Sequence, residues 1–314
     1  MRLFVLVLCS FLIGTGCARD HQSLSVLISQ LQSEQAGQRT LAIQGLTELG
    51  NEGDAAAQLK LGLLYVSGVV VEKDITTGIQ WLEKSALQQN PAAAYNLGIV
   101  YSQVLPSEQL DYSKAAKFFE SAAALGDAQS AYELGVLWHR AMLPESRYNK
   151  ESLEMAYKWF KVASDLGLAS AQFSLAVYHQ SKDSARFDFK EAKRLYQLAA
   201  EQGYPPAMYN LGLMLINGHG GKKDKITGAE WVEKAALSNF TDAQFNLAML
   251  FLWGEGKEKD QVKAFAWLSF LSEVKHPVAE RYYARLSTLL TEEQKVNALK
   301  YKEEFLKQML VNKS

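Results

Sequence analysis

The sequence predicts an all-α fold: a right-handed α/α solenoid of about six helix–turn–helix repeats, closed by a C-terminal capping helix. Three observations carry that prediction. The dipeptide Leu-Gly or Leu-Ala returns at Leu61, Leu97, Leu134, Leu175, Leu211 and Leu247, at intervals of 36, 37, 41, 36 and 36 residues. A column of large residues, Trp81, Phe118, Trp159, Leu195, Trp231 and Trp267, drifts with it through the same insertions. Seven places before each large residue stands a side chain able to cap a helix: Asp74, Asp111, Ser152, Asp188, Asp224 and Asp260. Self-similarity at a period of roughly 20–50 residues marks a repeat architecture, in which each unit is buried only by stacking on its neighbours.

The elements follow in chain order. Residues 1–16 read as a signal peptide, because Arg2 precedes the apolar run from Leu3 to Ile13. That run falls short of the roughly 20 residues needed to span a bilayer. It ends Gly14-Thr15-Gly16-Cys17, and small residues before a cysteine resemble the lipobox of bacterial lipoproteins. The resemblance implies cleavage before Cys17 and a lipid on its thiol, although Gly14 departs from the usual leucine three places before the cysteine. Ala18 and Arg19 lack the aspartate of an inner-membrane retention signal, so the expected address is the outer membrane, with the solenoid in the periplasm. The other cysteine, Cys9, lies within the segment to be removed, so neither a disulfide nor a cysteine-held metal is expected. Residues 17–52 are a lipidated N-terminus and a helical segment, with Leu24, Leu27, Ile28 and Leu31 at helical spacing.

Residues 53–275 hold the repeats. Gly53, Gln89, Gly126, Gly167, Gly203 and Asn239 stand eight places before each leucine, and glycine or asparagine tolerates the left-handed conformation that ends a helix. Each unit is therefore helix, connector, helix, tight turn. Aromatic or leucine residues at Leu59, Tyr95, Tyr132, Phe173, Tyr209 and Phe245 make the first helix mostly apolar. Glycine inside a helix costs about 0.8–1 kcal/mol relative to alanine. Four glycines at one phase after the leucine therefore predict close approach of the second helix. The small column Gly78, Ala115, Ala156, Ala192, Gly228 and Ala264, three places before the large one, reads as the matching half of a packing code. In residues 276–314, Thr291 and Gln294 form a capping box, and Val296, Leu299, Leu306 and Leu310 give the last helix one apolar stripe against the array.

Taken together, the pattern Gly-Asp-Ala-x-x-x-x-Leu-Gly followed by Lys-Asp-x-x-x-Ala-x-x-Trp-x-x-Lys-Ala-Ala resembles the Sel-one-like repeat family, relatives of tetratricopeptide repeats. Residues 218–236 and 254–267 match it best, and the resemblance covers roughly residues 53–271. It implies an adaptor or scaffold that holds partner proteins on its helical groove, in signalling, envelope assembly or host interaction. Some relatives are described as β-lactamases. The alternatives are therefore an enzyme acting on β-lactams or cell-wall material, or a secreted virulence adaptor.

Composition narrows the choice. Lys plus Arg number 33 against 34 for Asp plus Glu, so there is no basic excess of the kind nucleic-acid binding needs. No Gly-x-Ser-x-Gly, His-Glu-x-x-His, phosphate loop or Cys-x-x-Cys occurs, and no enzyme or cofactor is expected. The single Ser-x-x-Lys, Ser272 with Lys275, lacks the Ser-Asp-Asn and Lys-Thr-Gly companions of a β-lactamase. His139 and His179 hold near-equivalent positions but find no further ligands at compatible spacing. The irregular third repeat is more informative, since Leu134 to Trp159 is 25 residues against 20 or 21 elsewhere. Insertions in repeat proteins collect on the binding face. Trp138, Arg140, Arg147 and Tyr148, on or beside that insertion, are the candidate partner-binding residues.

Overall fold

The computed structural model describes residues 23–143, 150–182, 184 and 186–311, and among them it is all-α, with no strand. The chain forms two compact units, Met1–Leu166 and Gly167–Ser314. In the first, α1 (Leu24–Gln30) and α2 (Ala36–Asn51) precede the pairs α3 (Ala55–Ser67) with α4 (Ile75–Leu87), α5 (Pro91–Ile99) with α6 (Tyr112–Ala124), and α7 (Ala128–His139) with α8 (Lys150–Asp165). In the second, α9 (Ala169–Gln180) pairs with α10 (Phe189–Glu201), α11 (Pro205–Asn217) with α12 (Lys225–Leu237), and α13 (Thr241–Trp253) with α14 (Gln261–Glu273). After these come α15 (Pro277–Ser287) and α16 (Glu292–Val311).

Five of the six expected caps form. The carboxylates of Asp74, Asp111, Asp188, Asp224 and Asp260 each accept from backbone N–H groups of the first helical turn, at 2.8–3.2 Å. The amide of each same aspartate donates to the carbonyl of Tyr65, Tyr101, His179, Leu215 or Phe251, at 2.8–3.0 Å, which ties the second helix back to the first. Ser152 does not cap: it lies inside α8 and is buried. The long third connector displaces the helix start, so register alone misplaces the cap there. The closing column is more uniform than its residue types suggest. Gln89 and Asn239 take positive φ, at 59° and 63°, as the four glycines of that column do.

In four of the six pairs the glycine after the leucine brings the helices together; in the fourth and sixth that position is Ala176 and Ala248. A methyl group on Gly62 would lie 2.6 Å from Cγ of Leu82, and one on Gly212 would lie 2.7 Å from the carbonyl oxygen of Gly228. The side chains filling these contacts are Leu82, Phe119, Phe160 and Val232, each one residue after the large column. Trp81, Phe118, Trp159 and Trp231 are only half-buried, and in that column Leu195 and Trp267 alone are fully covered. The packing code is therefore shifted by one residue. Successive residues on a helix point about 100° apart, so both flank the same groove and only the second enters it.

The array extends past the six pairs at both ends. Ala42 and Leu46 on α2 are fully buried and stand 36 residues before Gly78 and Leu82, which makes α2 the second helix of a degenerate leading repeat. Lys275 takes positive φ, 36 residues after Asn239, so α15 starts as a further first helix. Buried glutamines join repeat to repeat: Gln58 donates to the Gly50 carbonyl at 2.8 Å, and Gln244 to that of Ala236 at 3.2 Å. Each adds a side-chain donor to a last-turn carbonyl of the preceding helix that also accepts from the backbone N–H of Gly53 or Asn239. In the second repeat the extra connector residue coincides with a π-helical turn, Val100–Val104, that continues α5 where α3 stops at Gly68.

The C-terminal helix corrects another expectation. The capping box forms, with Thr291 N–H donating to Gln294 Oε1 at 2.9 Å and Gln294 N–H donating to Thr291 Oγ1 at 3.2 Å. The buried face of α16, however, is Ala298, Phe305 and Met309, while Val296, Leu299 and Leu310 are exposed. The ring of Phe305 stacks on Trp267 with centroids 3.7 Å apart, and this aromatic contact sets the face that turns inward.

Candidate protein-interaction surface

Two columns on the first helices sit at the boundary between core and water. The residues two before the leucine, Leu59, Tyr95, Tyr132, Phe173, Tyr209 and Phe245, are all half-buried. The residues one before it are polar in every repeat: Lys60, Asn96, Glu133, Ser174, Asn210 and Asn246. The polar column shares the period of the leucines but carries no apolar recurrence to mark it.

The aromatic column is held from behind. In the first unit Tyr95 leans on Phe119, with centroids 6.0 Å apart, and Tyr132 on Phe160 at 5.4 Å. In the second unit Phe173 meets Tyr196 and Tyr204, Tyr209 meets Phe240, and Phe245 stacks on His276. Asn246 bridges α13 to α11 by donating to the Tyr209 hydroxyl. Each aromatic of the column is packed against a neighbouring ring and remains half-buried.

Two ionisable members of the polar column bear a desolvation cost. Burial lowers the Lys60 ammonium below its ordinary range. Burial likewise raises the Glu133 carboxyl, against a lowering hydrogen bond from Gln129 and the charge of Arg140. Burial, and then the Glu133 charge, push the Tyr95 phenol upward.

Of the sequence candidates, Trp138 lies half-buried at the end of α7 and Arg140 is exposed directly after it. The chain turns at Ala141, where φ is 51°, and Leu143 folds back into the core. Between Trp138 and Arg140, His139 faces Phe160 at 6.4 Å, and burial, followed by the Arg140 charge, lowers its pKa. Arg147, Tyr148 and Cys17 lie outside the described residues. Of the four insertion residues, Trp138 and Arg140 are within the described structure.

Two cavities among the described residues bear on the surface. One of about 450 Å³ lies between α12, the α13–α14 connector, α14 and α16. Its charged lining is largely self-paired, Lys257 with Glu233 and Lys263 with Asp260. The other, of about 350 Å³, opens between α3 and α5 and has mostly aliphatic walls. No group of three or more His, Cys, Asp or Glu side chains placed to hold a metal occurs among the described residues.

The model of the Sel1 repeat matches six consecutive segments, residues 55–90, 91–127, 128–168, 169–204, 205–240 and 241–273. The chain is similar to the crystal structure of a protective antigen of uropathogenic Escherichia coli displaying an SLR fold. The TM-score is 0.73 and the identity 27%, over 86% of this chain and 56% of that one. A Sel1 repeat protein from Oxalobacter formigenes shares the fold with a TM-score of 0.62 and 23% identity, over 78% of this chain and 95% of that one. A curated relative, chitin synthase regulatory factor 3 of Schizosaccharomyces pombe, is 25% identical over 189 residues, 48% of this chain. The chain spans only 20% of that relative's length.

Proposed function

The chain belongs to the Sel1 repeat family, whose members are generally protein-interaction scaffolds, and from that premise we propose that it is a scaffold of the bacterial cell envelope, holding a partner protein on the face of its first helices. The observation that supports this most directly is the pair of columns on that face. A half-buried aromatic or leucine recurs beside a polar residue at one phase in all six repeats. Stacking alone favours apolar residues at such positions. A surface of packed rings with polar groups between them supplies contact area and orientation together.

The envelope address rests on the amino-terminal sequence. Cys17, preceded by Gly14-Thr15-Gly16, is the proposed lipid attachment site, and the lipid would hold the repeats against the outer membrane from the periplasmic side. Replacing Cys17 with Ser should abolish fatty-acid labelling and release the protein from membranes. Unchanged membrane partitioning of that variant would remove the anchor from the proposal. For the scaffold itself, in-cell crosslinking of the wild type should capture a partner that is lost when Tyr209 and Asn246 are both changed to Ala. Equal capture by that variant, still folded by circular dichroism, would clear the second unit's face of the role.

A further inference from the structure

We propose that the cleft between α3 and α5 is a docking slot for a short, extended peptide segment that pairs apolar side chains with an acidic one. This rests on the interaction reading above and names the chemistry of the partner at one place. The cleft has a volume of about 350 Å³, at the lower end of the roughly 300–1,000 Å³ of specific ligand pockets. That is room for about two or three side chains. Its walls are Leu63, Val66 and Leu82 on one side and Ile99, Val100 and Val104 on the other. The second wall is completed by the π-helical turn, which continues α5 as far as Val104, the position at which α3 has already ended in Gly68. π-turns recur at functional sites.

Two polar groups give the slot its chemistry. Lys73 is the one charged residue on its lining. Its stem packs over Gly68, the residue is exposed, and no ion pair of Lys73 occurs among the described residues, which leaves its ammonium to meet a ligand's charge. Asn96, only 5% exposed, donates its side-chain amide to the Ala92 carbonyl at 2.7 Å, which leaves the side-chain carbonyl oxygen to accept from a ligand. An acceptor beside apolar walls suits a backbone N–H, and an unpaired ammonium at the rim suits a carboxylate. A peptide supplies both together with the apolar side chains. A fatty acid would match the walls and Lys73 but offers no donor for Asn96.

The test uses the full chain and fluorescein-labelled octapeptides carrying Phe-Leu followed by Asp-Glu, Ser-Gln or Lys-Arg, with binding read by anisotropy. The acidic set should bind at least about tenfold more tightly than the basic set, the scale of replacing one attraction by one repulsion. Lys73→Glu, at an exposed position that does not threaten folding, should invert that order. Asn96→Ala should weaken the acidic set several-fold with little change in melting temperature. No binding by the wild type, no ordering among the sets, or an order unchanged in Lys73→Glu would each overturn the slot. Binding of laurate without any peptide would overturn it in favour of an acyl ligand. If Lys73→Glu still crosslinks the wild-type partner at full yield, the slot is not where that partner docks, and the scaffold reading stands without it.

Discussion

Trp231 and Trp267 occupy the same position in consecutive repeats, 36 residues apart, and meet opposite fates. Trp231 is half-buried, with the Lys234 ammonium 4.3 Å above its ring. Trp81 is arranged in the same way beneath Lys84, at 4.0 Å. Trp267 is wholly buried, because α16 lays Phe305 flat against it. The repeat specifies an outward aromatic shelf on the second helix, and what covers the shelf is decided by chain outside the repeat. At Trp81 and Trp231 a lysine stem and ammonium cover it, by cation–π attraction worth about 0.5–1 kcal/mol at such sites. At the end of the array a helix covers it instead, and the tryptophan becomes core.

The largest effect expected from this difference is in stability. Trp267→Ala should cost about 3–5 kcal/mol, as full truncation of a buried aromatic does. Trp231→Ala, which gives up only partial burial and one cation contact, should cost about 1–2 kcal/mol. Urea unfolding monitored by circular dichroism checks both, and equal costs would erase the distinction. A double-mutant cycle between Trp267 and Phe305 sharpens it, with a coupling of about 0.5–1.5 kcal/mol expected for the stacked rings.

A second contrast separates glycines that hold helices together from those that do not. Gly212→Ala drives a methyl to 2.7 Å from the Gly228 carbonyl oxygen and should destabilise by about 1–3 kcal/mol. Gly37→Ala, in the first turn of α2, meets nothing within 4 Å. It should stabilise by up to about 1 kcal/mol through helix propensity alone. Melting temperatures moving in the same direction for both variants would refute the close-approach account.

These contrasts also show how far the sequence could be read. Equivalent positions were legible, because two columns shared one set of insertions, and with them the helix pairs, five caps and the capping box at Thr291. Facing was less legible. Where Phe118 precedes Phe119, or Trp231 precedes Val232, hydrophobicity does not say which of two neighbours enters the groove, and the larger was the wrong choice. On α16 the regular stripe of Val296, Leu299 and Leu310 drew attention from the sparser Ala298, Phe305 and Met309. One aromatic stack with Trp267 outweighed that regularity. The insertion drew attention to Trp138 and Arg140, while the polar column containing Asn96 and Glu133 carries no apolar recurrence to mark it.

That polar column gives the smallest predicted effect, and its sign follows from linkage. Burial raises the Glu133 carboxyl above its ordinary value, so the folded state keeps a proton that the unfolded chain has already lost. Between the ordinary carboxylate range and the raised folded value the unfolded state binds fewer protons, and stability falls as pH rises through that window. Below the window both states are protonated and the residue carries no penalty. Above it the full penalty of holding a buried carboxylate remains. Glu133→Gln keeps the shape and an acceptor for Gln129 while removing the ionisation. The variant should therefore melt higher than the wild type at neutral pH and close to it at acid pH below the window. If the two melting curves stay parallel across that range, Glu133 is as well solvated as a surface carboxylate. The desolvation argument for a functional polar column in the first unit then loses its strongest member.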